Sequence, residues 1–295
     1  MIKRTLCFSS GAYLSLTAIQ LVIELPEDVT KTKKTVPIED IGVVVLDNPQ
    51  ITITQGVMVS LLENNVAIIT CDQRHHPLGL HLCLDGNDIQ SERYREQIQA
   101  TEALKKNLWQ QTIIAKIQNQ ANVLKELGID TKKMVFWARE VKSGDSENHE
   151  ARAAAYYWQN LLEQDNAFKR ERFGEYPNNF FNYSYSILRA IAARSLVASG
   201  LLPTLGIFHK NRYNAYCLAD DIMEPYRPYA DRVVLETIKK YPEIQEMTKE
   251  IKSSLLTLPV VDVKMKNATR PLQIAMGETT ASLYQCFSGE RRLIK

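Results

Sequence analysis

The order of apolar and polar residues divides this chain of 295 residues into two parts, and the change falls near residue 88. Before that point, short segments alternate apolar with polar residues or are rich in β-branched residues, and turn-forming residues separate them. These segments predict β-strands at 4–8, 13–16, 20–23, 35–38, 42–46, 51–54, 66–70 and 79–84, with one short helix at 56–63. The pattern is typical of a small antiparallel β domain.

From residue 90 onward, apolar residues recur mostly at helical spacing. The pattern predicts one or two helices over 90–127, ended by Gly128, and further helices at 146–164, 180–199, 229–241, 244–256 and 272–287. The expected fold class is therefore α+β. A β-rich domain at 1–88 precedes a larger, all-helical domain at 89–295.

Composition and charge restrict the function. The net charge is +2 and the isoelectric point about 8.2, so any contact with nucleic acid depends on a local basic surface. The five cysteines are scattered and form no CxxC pair, which favours reduced thiols over a zinc site or disulfides. No apolar run reaches membrane-spanning length, so we expect a soluble, cytoplasmic protein. Phosphate-loop and GxSxG motifs are absent from the sequence, which gives no support to ATP use or serine hydrolase chemistry.

Three residues of the second part are candidates for chemistry. Ser146 has the character of an N-cap, which places Glu150 in the first turns of a helix, where a carboxylate commonly just complements the helix dipole. His209 ends an apolar run, where a lone histidine is more often structural than a ligand. Asp221 and Glu224 have the spacing of a capping box, so they also have an ordinary interpretation as the start of a helix.

Other charged segments are weaker candidates. His75 and His76 are neighbours, and in an extended segment their side chains face opposite sides, so we interpret them as part of a loop. Basic residues recur in the helical part, on both sides of the three candidates. Each group is by itself an ordinary solvated surface, but together they are suited to bind phosphate.

Several segments together resemble the CRISPR-associated integrase, the catalytic subunit of the machinery that inserts new spacers, and most closely its type II branch. The resemblance covers nearly the whole chain. It rests on Lys3–Leu6, Thr35–Gly42, Trp109 with Lys116–Gln120, Asn182–Ala190 and Asp221–Pro228. Ser184 departs from the family pattern, in which a glycine is expected after Asn-Tyr.

The resemblance implies a metal site and a reaction. A glutamate, a histidine and a second acidic residue bind the metal in that family, and these roles fall on Glu150, His209 and Glu224, with Asp221 in a supporting position. This oxygen-rich set suits Mg²⁺ or Mn²⁺. The implied reaction is a transesterification in which the 3′-hydroxyls of a short DNA duplex attack the repeat. Arg189, Lys210 and Arg227 are the expected contacts to DNA phosphate.

The resemblance also implies partners. The β-rich domain is expected to form a homodimer, and two dimers are expected to flank a dimer of a small companion subunit in a heterohexamer that binds double-stranded DNA. Two interpretations from other classes stay open. In one of them the chain is a DNA-binding scaffold without catalysis. In the other it is a metal-dependent nuclease that never joins ends.

Overall fold

A computed structural model of the protein describes residues 2–26, 32–162, 168–171, 174–266 and 268–295. Its amino-terminal part contains eight strands, all at or near the positions that the alternating pattern predicts. They are β1 (Arg4–Phe8), β2 (Ala12–Thr17), β3 (Gln20–Glu24), β4 (Lys34–Pro37), β5 (Ile41–Leu46), β6 (Ile51–Ile53), β7 (Ala67–Cys71) and β8 (Pro77–His81). The predicted short helix is α1 (Gln55–Glu63).

The strands form two sheets of four, and their pairing corrects the antiparallel prediction. One sheet has the order β1-β5-β7-β8, in which β1 with β5 and β5 with β7 are parallel. The other has the order β4-β3-β2-β6, in which only β2 with β6 is parallel. Parallel neighbours need a long crossover. Between β1 and β5 the crossover contains β2, β3 and β4, and between β5 and β7 it contains β6 and α1. The sheets are therefore mixed.

The first sheet is covered on both faces. Val44 and Ile68 pack into a core shared with the second sheet and α1. Val43, Val45 and Ile69 point the opposite way, into the core of the helical part. Because β5 has apolar contacts on both sides, its sequence is a continuous apolar run.

The carboxy-terminal part is mainly helical. Its helices are α2 (Gln90–Gln99), α3 (Glu102–Glu126), α4 (Lys132–Glu140), α5 (His149–Leu161), α6 (Asn178–Ala198), α7 (Cys217–Met223), α8 (Arg227–Lys240), α9 (Lys249–Leu255) and α10 (Leu272–Phe287). The region predicted as one or two helices is two, because the hydroxyl of Thr101 accepts a hydrogen bond from Leu104 N and starts α3. Helices α4 and α7 were not predicted. The predicted end of the fifth helix, at 164, lies outside the described residues.

Two short strands correct the prediction of an all-helical second part. β9 (Asp262–Met265) and β10 (Ala268–Pro271) form an antiparallel hairpin directly before α10. The hairpin was missed because each strand has only four residues, too few for alternation to stand out. No helix in the described part of the chain is both long and apolar enough to cross a membrane.

Candidate active site

Glu150 is the second residue of α5, and an aspartate in the preceding turn fixes the start of that helix. The carboxylate of Asp145 accepts hydrogen bonds from the backbone N–H groups of His149 and Glu150, at 2.9 and 3.0 Å. Gly144, at a φ of 72°, allows the chain to turn back so that this carboxylate meets the helix end. Ser146, the expected N-cap, is therefore not the capping residue. The Glu150 side chain remains 30 % exposed.

Glu224 begins a 3₁₀ turn, Glu224–Tyr226, which joins α7 to α8. Its side chain is buried, and Nη2 of Arg227 lies 3.0 Å from Glu224 Oε1. Burial raises the pKa of this carboxyl group, but the positive charges of Arg227 and Lys116 outweigh burial, so that the pKa falls below its ordinary value. Glu224 is therefore an ionised carboxylate even though it is shielded from water.

His209 is held by Asp221, whose predicted role as a helix cap is wrong. Asp221 lies inside α7, is fully buried, and accepts hydrogen bonds from the backbone N–H groups of Ile207 and Phe208 and of His209 itself. Its Oδ1 also lies 2.5 Å from His209 Nδ1, and this hydrogen bond raises the pKa of the imidazole. Gly206 permits the arrangement, because a Cβ at that position would lie 2.7 Å from Asp221 Oδ2.

Lys116 of α3 connects the two glutamates. Its Nζ lies 2.5 Å from Glu150 Oε1 and 2.6 Å from Glu224 Oε2. Burial alone lowers the pKa of Lys116, but the charges of Glu224 and Glu150 outweigh burial and raise it. We call Lys116, Glu150, Glu224 and Arg227 the Lys116 cluster. Within it, oxygens from two carboxylates lie within reach of a single cation.

The donor chemistry of these side chains fits a hard divalent cation. Glu224 Oε2 is buried, and beyond its ion-pair contact with Lys116 it accepts no hydrogen bond from any described residue. Because Nδ1 of His209 faces Asp221, Nε2 is the ring nitrogen available to a ligand. In the described ranges, however, no three His, Cys, Asp or Glu side chains have metal-binding geometry as they stand. The shared metal centre therefore stays a prediction.

The three basic residues expected to contact DNA are each paired with a carboxylate. Arg189 makes two hydrogen bonds to Asp220, at 2.6 and 3.0 Å. Lys210 lies 3.1 Å from the exposed Glu102, and Arg227 pairs with Glu224. Arg189 and Arg227 line one cleft of about 470 Å³, together with Arg170. Lys210 instead lines a second cleft, of about 460 Å³, which includes His209.

Lys116 itself was not recognised as a functional residue, although its position carried a signal. It follows Ile113 by three residues and precedes Ile117, so it lies on the apolar stripe of α3. A lysine on such a stripe is buried and needs an anionic partner. The identity of that partner depends on α5 and the α7–α8 junction, and spacing along the chain does not reveal it.

His75 and His76 lie in the turn between β7 and β8, as the loop interpretation predicts. His75 Nδ1 is 2.9 Å from Asp47 Oδ1, and His76 donates its backbone N–H to Asp72. The two residues therefore have separate partners in the structure.

A model of the family described as CRISPR associated protein Cas1 matches residues 6–257. The chain belongs to this family. The family resemblance drawn from the sequence motifs is thereby confirmed. A relative from Neisseria meningitidis serogroup C (strain 8013), named CRISPR-associated endonuclease Cas1, is 38% identical over 262 residues, which are 87% of this chain and 83% of the relative.

Solved structures share the fold. A casposase bound to its integration product superposes with a TM-score of 0.81 at 17% identity, over 100% of this chain and 93% of that one. A chain of a Cas6-RT-Cas1–Cas2 complex superposes with a TM-score of 0.73 at 18% identity, over 99% of this chain and 35% of that one. Together with the observed elements, these matches confirm an α+β fold in which the strand-rich part comes first.

Proposed function

We propose that this protein is a metal-dependent DNA integrase of CRISPR adaptation, which inserts short duplexes into the repeat array and also cleaves DNA. The observation that carries the proposal is the convergence of Glu150 and Glu224, from separate helices, on one buried cation position. Support comes from the relative named an endonuclease and from the fold shared with a casposase that was solved with an integration product.

In this proposal Glu150, Glu224 and His209 hold Mg²⁺ or Mn²⁺. Such an ion activates a hydroxyl nucleophile and offsets negative charge during displacement at phosphorus. Asp221 keeps the proton of His209 on Nδ1, so that the Nε2 lone pair is available as a ligand. Arg227 keeps Glu224 ionised in its buried position. The attacking group is the 3′-hydroxyl of the incoming duplex, and no ATP is required because one phosphodiester replaces another.

The two clefts suit the backbone of DNA. Arg170, Arg189 and Arg227 place three guanidinium groups in one of them, and guanidinium binds phosphate with paired N–H groups. Lys210 brings an exposed ammonium into the cleft beside His209. Phosphates that enter these clefts would compete with the carboxylates that now pair with Arg189 and Lys210.

The proposed assembly has two levels. Residues 1–88 form a homodimer, and two dimers bind a dimer of a small companion subunit to give a heterohexamer on double-stranded DNA. The matched Cas1 chain in a complex with Cas2 supports a companion of this kind. Mass measurement of the protein with its companion and a short duplex tests the stoichiometry.

The decisive experiment is strand transfer of a labelled short duplex into a supercoiled plasmid that carries a repeat array, with Mn²⁺ or Mg²⁺. Glu150→Ala is expected to lower joining by at least about 10³-fold, equivalent to about 4 kcal/mol of transition-state stabilisation. Because Glu150 is partly exposed and Lys116 keeps its contact with Glu224, the variant should still fold, with a circular dichroism spectrum close to that of the unsubstituted protein.

Glu140→Ala is the matched control, since Glu140 is an exposed acidic residue at the end of α4. It should join DNA normally. Normal joining by the Glu150 variant would refute the catalytic assignment. Plasmid cleavage without any joining would identify a nuclease that lacks integrase activity, and DNA binding with neither reaction would identify a scaffold.

A further inference from the structure

A buried lysine occupies the position between the two acids of the proposed metal site. The Lys116 side chain is 11 % exposed, and its ammonium contacts one oxygen of Glu150 and one of Glu224. Its hydrogen bond to Glu150 is 2.5 Å long. These are the carboxylates that a shared metal ion would require.

The charges of the Lys116 cluster already cancel. Lys116 and Arg227 are positive, while Glu150 and Glu224 are negative, and Arg227 lies 3.0 Å from Glu224. Adding a divalent ion while all four groups stay in place would leave two uncompensated positive charges in a largely buried space. Uncompensated buried charge is strongly unfavourable, so binding of the ion requires one of the cations to move away.

Lys116 is better placed to move than Arg227. Arg227 is also fixed by its guanidinium, which lies 4.8 Å above the ring of Tyr185. Lys116 has a flexible stem of four methylene groups, and its partner Glu150 is 30 % exposed, so the cluster opens to solvent on that side.

We propose that Lys116 is a tethered counter-ion which Mg²⁺ or Mn²⁺ must displace, and that it thereby sets the metal affinity of this site. The proposal rests on the proposed function, since it takes Glu150, Glu224 and His209 as the ligands. Lys116 acts here as a positioning residue. It holds the two carboxylates together and weakens metal binding by competing for the same oxygens.

The first test is a Mn²⁺ titration of the full chain without DNA, followed by electron paramagnetic resonance of the free ion. Lys116→Met, which keeps an unbranched side chain, one atom shorter, and removes its charge, should bind Mn²⁺ about tenfold more tightly than the unsubstituted protein. Lys252→Met is the matched control. Lys252 is also buried and paired with a carboxylate, but its partner is Asp47, outside the Lys116 cluster. This control should leave the Mn²⁺ affinity unchanged.

Two further variants separate this inference from the proposed function. Glu150→Gln and His209→Ala should both weaken Mn²⁺ binding if these residues are ligands. If they do so while Lys116→Met leaves the affinity unchanged or lowers it, the counter-ion proposal is wrong and the metal site stands. If Glu150→Gln and His209→Ala bind Mn²⁺ normally, the metal site itself is wrong, and the proposal about Lys116 fails with it.

The second test follows the ammonium group directly. Reductive methylation of the unsubstituted protein, read by peptide mass spectrometry, should modify Lys116 faster with Mn²⁺ than with EDTA, while modification of Lys252 stays unchanged. An equal rate of methylation at Lys116 in both conditions would overturn displacement.

If Lys116→Met does not fold, Lys116→Gln takes its place in the Mn²⁺ titration. The Lys116 variant should also melt at a lower temperature than the unsubstituted protein in EDTA and gain more from Mn²⁺, because no cation then lies between the two carboxylates and only Glu224 keeps a positive partner, Arg227.

Discussion

Two buried lysines in this protein have similar ion-pair geometry and different surroundings. Lys252 of α9 lies 2.5 Å from Asp47, at the end of β5, and the side chains are 5 % and 0 % exposed. Lys116 lies at matching distances from two glutamates, one of which is partly exposed. Lys252 thus pairs with one buried acid, and this ion pair connects the helical part with the strand-rich part. The other lysine has two acids, and its surroundings open to solvent at Glu150.

Two thiols close to Asp47 are poorly suited to act as nucleophiles. Burial and the charge of Asp47 both raise the pKa of Cys71, and burial raises the pKa of Cys7 to about 11. Both thiols therefore favour the neutral, protonated form, which is the less nucleophilic one. An ion pair of one lysine with one acid, exposed by only 5 % and 0 %, serves as a structural link. A second carboxylate and access for ligands are what make the Lys116 cluster a candidate active site.

The largest effect that distinguishes the two lysines is on stability. Lys252→Met leaves the Asp47 carboxylate buried with only His75 at ion-pair distance among the described residues, and it should lower the free energy of unfolding by about 3–5 kcal/mol. Urea unfolding measures this loss. The double variant Asp47→Asn with Lys252→Met should recover much of it, because no unpaired charge then remains. A loss below about 1 kcal/mol in the single variant would contradict the role of Lys252 as a structural link.

A third buried acid tests whether a directly paired cation is what keeps a carboxylate ionised. Asp231 accepts hydrogen bonds from Tyr157 and Tyr185, at 2.9 and 2.5 Å, and has no ion-pair contact within 4 Å among the described residues. Burial raises its pKa to about 6. Between about pH 4 and 6, the folded protein therefore holds a proton that the unfolded chain has released. The stabilising contribution of Asp231 is complete below about pH 4 and is lost as the pH rises through about 6.

Asp231→Asn isolates this contribution, since asparagine does not titrate. From pH 4 to 6, the variant should gain a few kcal/mol of unfolding free energy relative to the unsubstituted protein, at about 1.4 kcal/mol per pKa unit. Urea unfolding at several pH values measures the difference. A constant difference across this window would show that Asp231 ionises normally. Two tyrosine hydroxyl groups would then be enough to keep a buried carboxylate ionised, as an ammonium group does in the Lys116 cluster.

Local patterns predicted the elements well, because alternation and helical spacing report which face of a segment is buried. The strands at 4–8 and 42–46 and the helix at 272–287 were predicted within a residue of their observed ends. The direction of strand pairing was not predictable in the same way. Whether β5 lies parallel to β1 depends on where the second sheet crosses over, which no window of a few residues contains.

The candidate site was predicted only as far as family motifs reached. Glu150, His209 and Glu224 were grouped through a resemblance, and the structure adds what holds them: Asp145 before α5 and Asp221 beneath His209. Asp145 was a detectable alternative to Ser146, since it is also a good capping residue and it follows Gly144 in a turn. The place of Lys116 between the two acids is a tertiary fact, and sequence alone reported only a lysine on an apolar stripe.

The smallest effect concerns the position of His209, the third proposed metal ligand. Phe208 stacks on Trp109, with ring centroids 4.1 Å apart and planes 1° from parallel, although 48 % of Phe208 is exposed. The ring of His209 meets the edge of Trp109, at 5.8 Å between centroids. Because Phe208 directly precedes His209, the stack restricts where the imidazole lies.

Phe208→Ala removes the stack, which is equivalent to about 1 kcal/mol, and Mn²⁺ affinity should fall about fivefold as His209 gains freedom. Manganese titration measures the change, and Phe136→Ala is the control because Phe136 is another exposed phenylalanine, on α4. If the Phe208 variant binds Mn²⁺ as tightly as the control, Asp221 alone positions the imidazole. The position of His209 would then depend on a buried carboxylate, Asp221, just as the position of Lys252 depends on Asp47. The contrast between the two lysines would reduce to the number of acids around each.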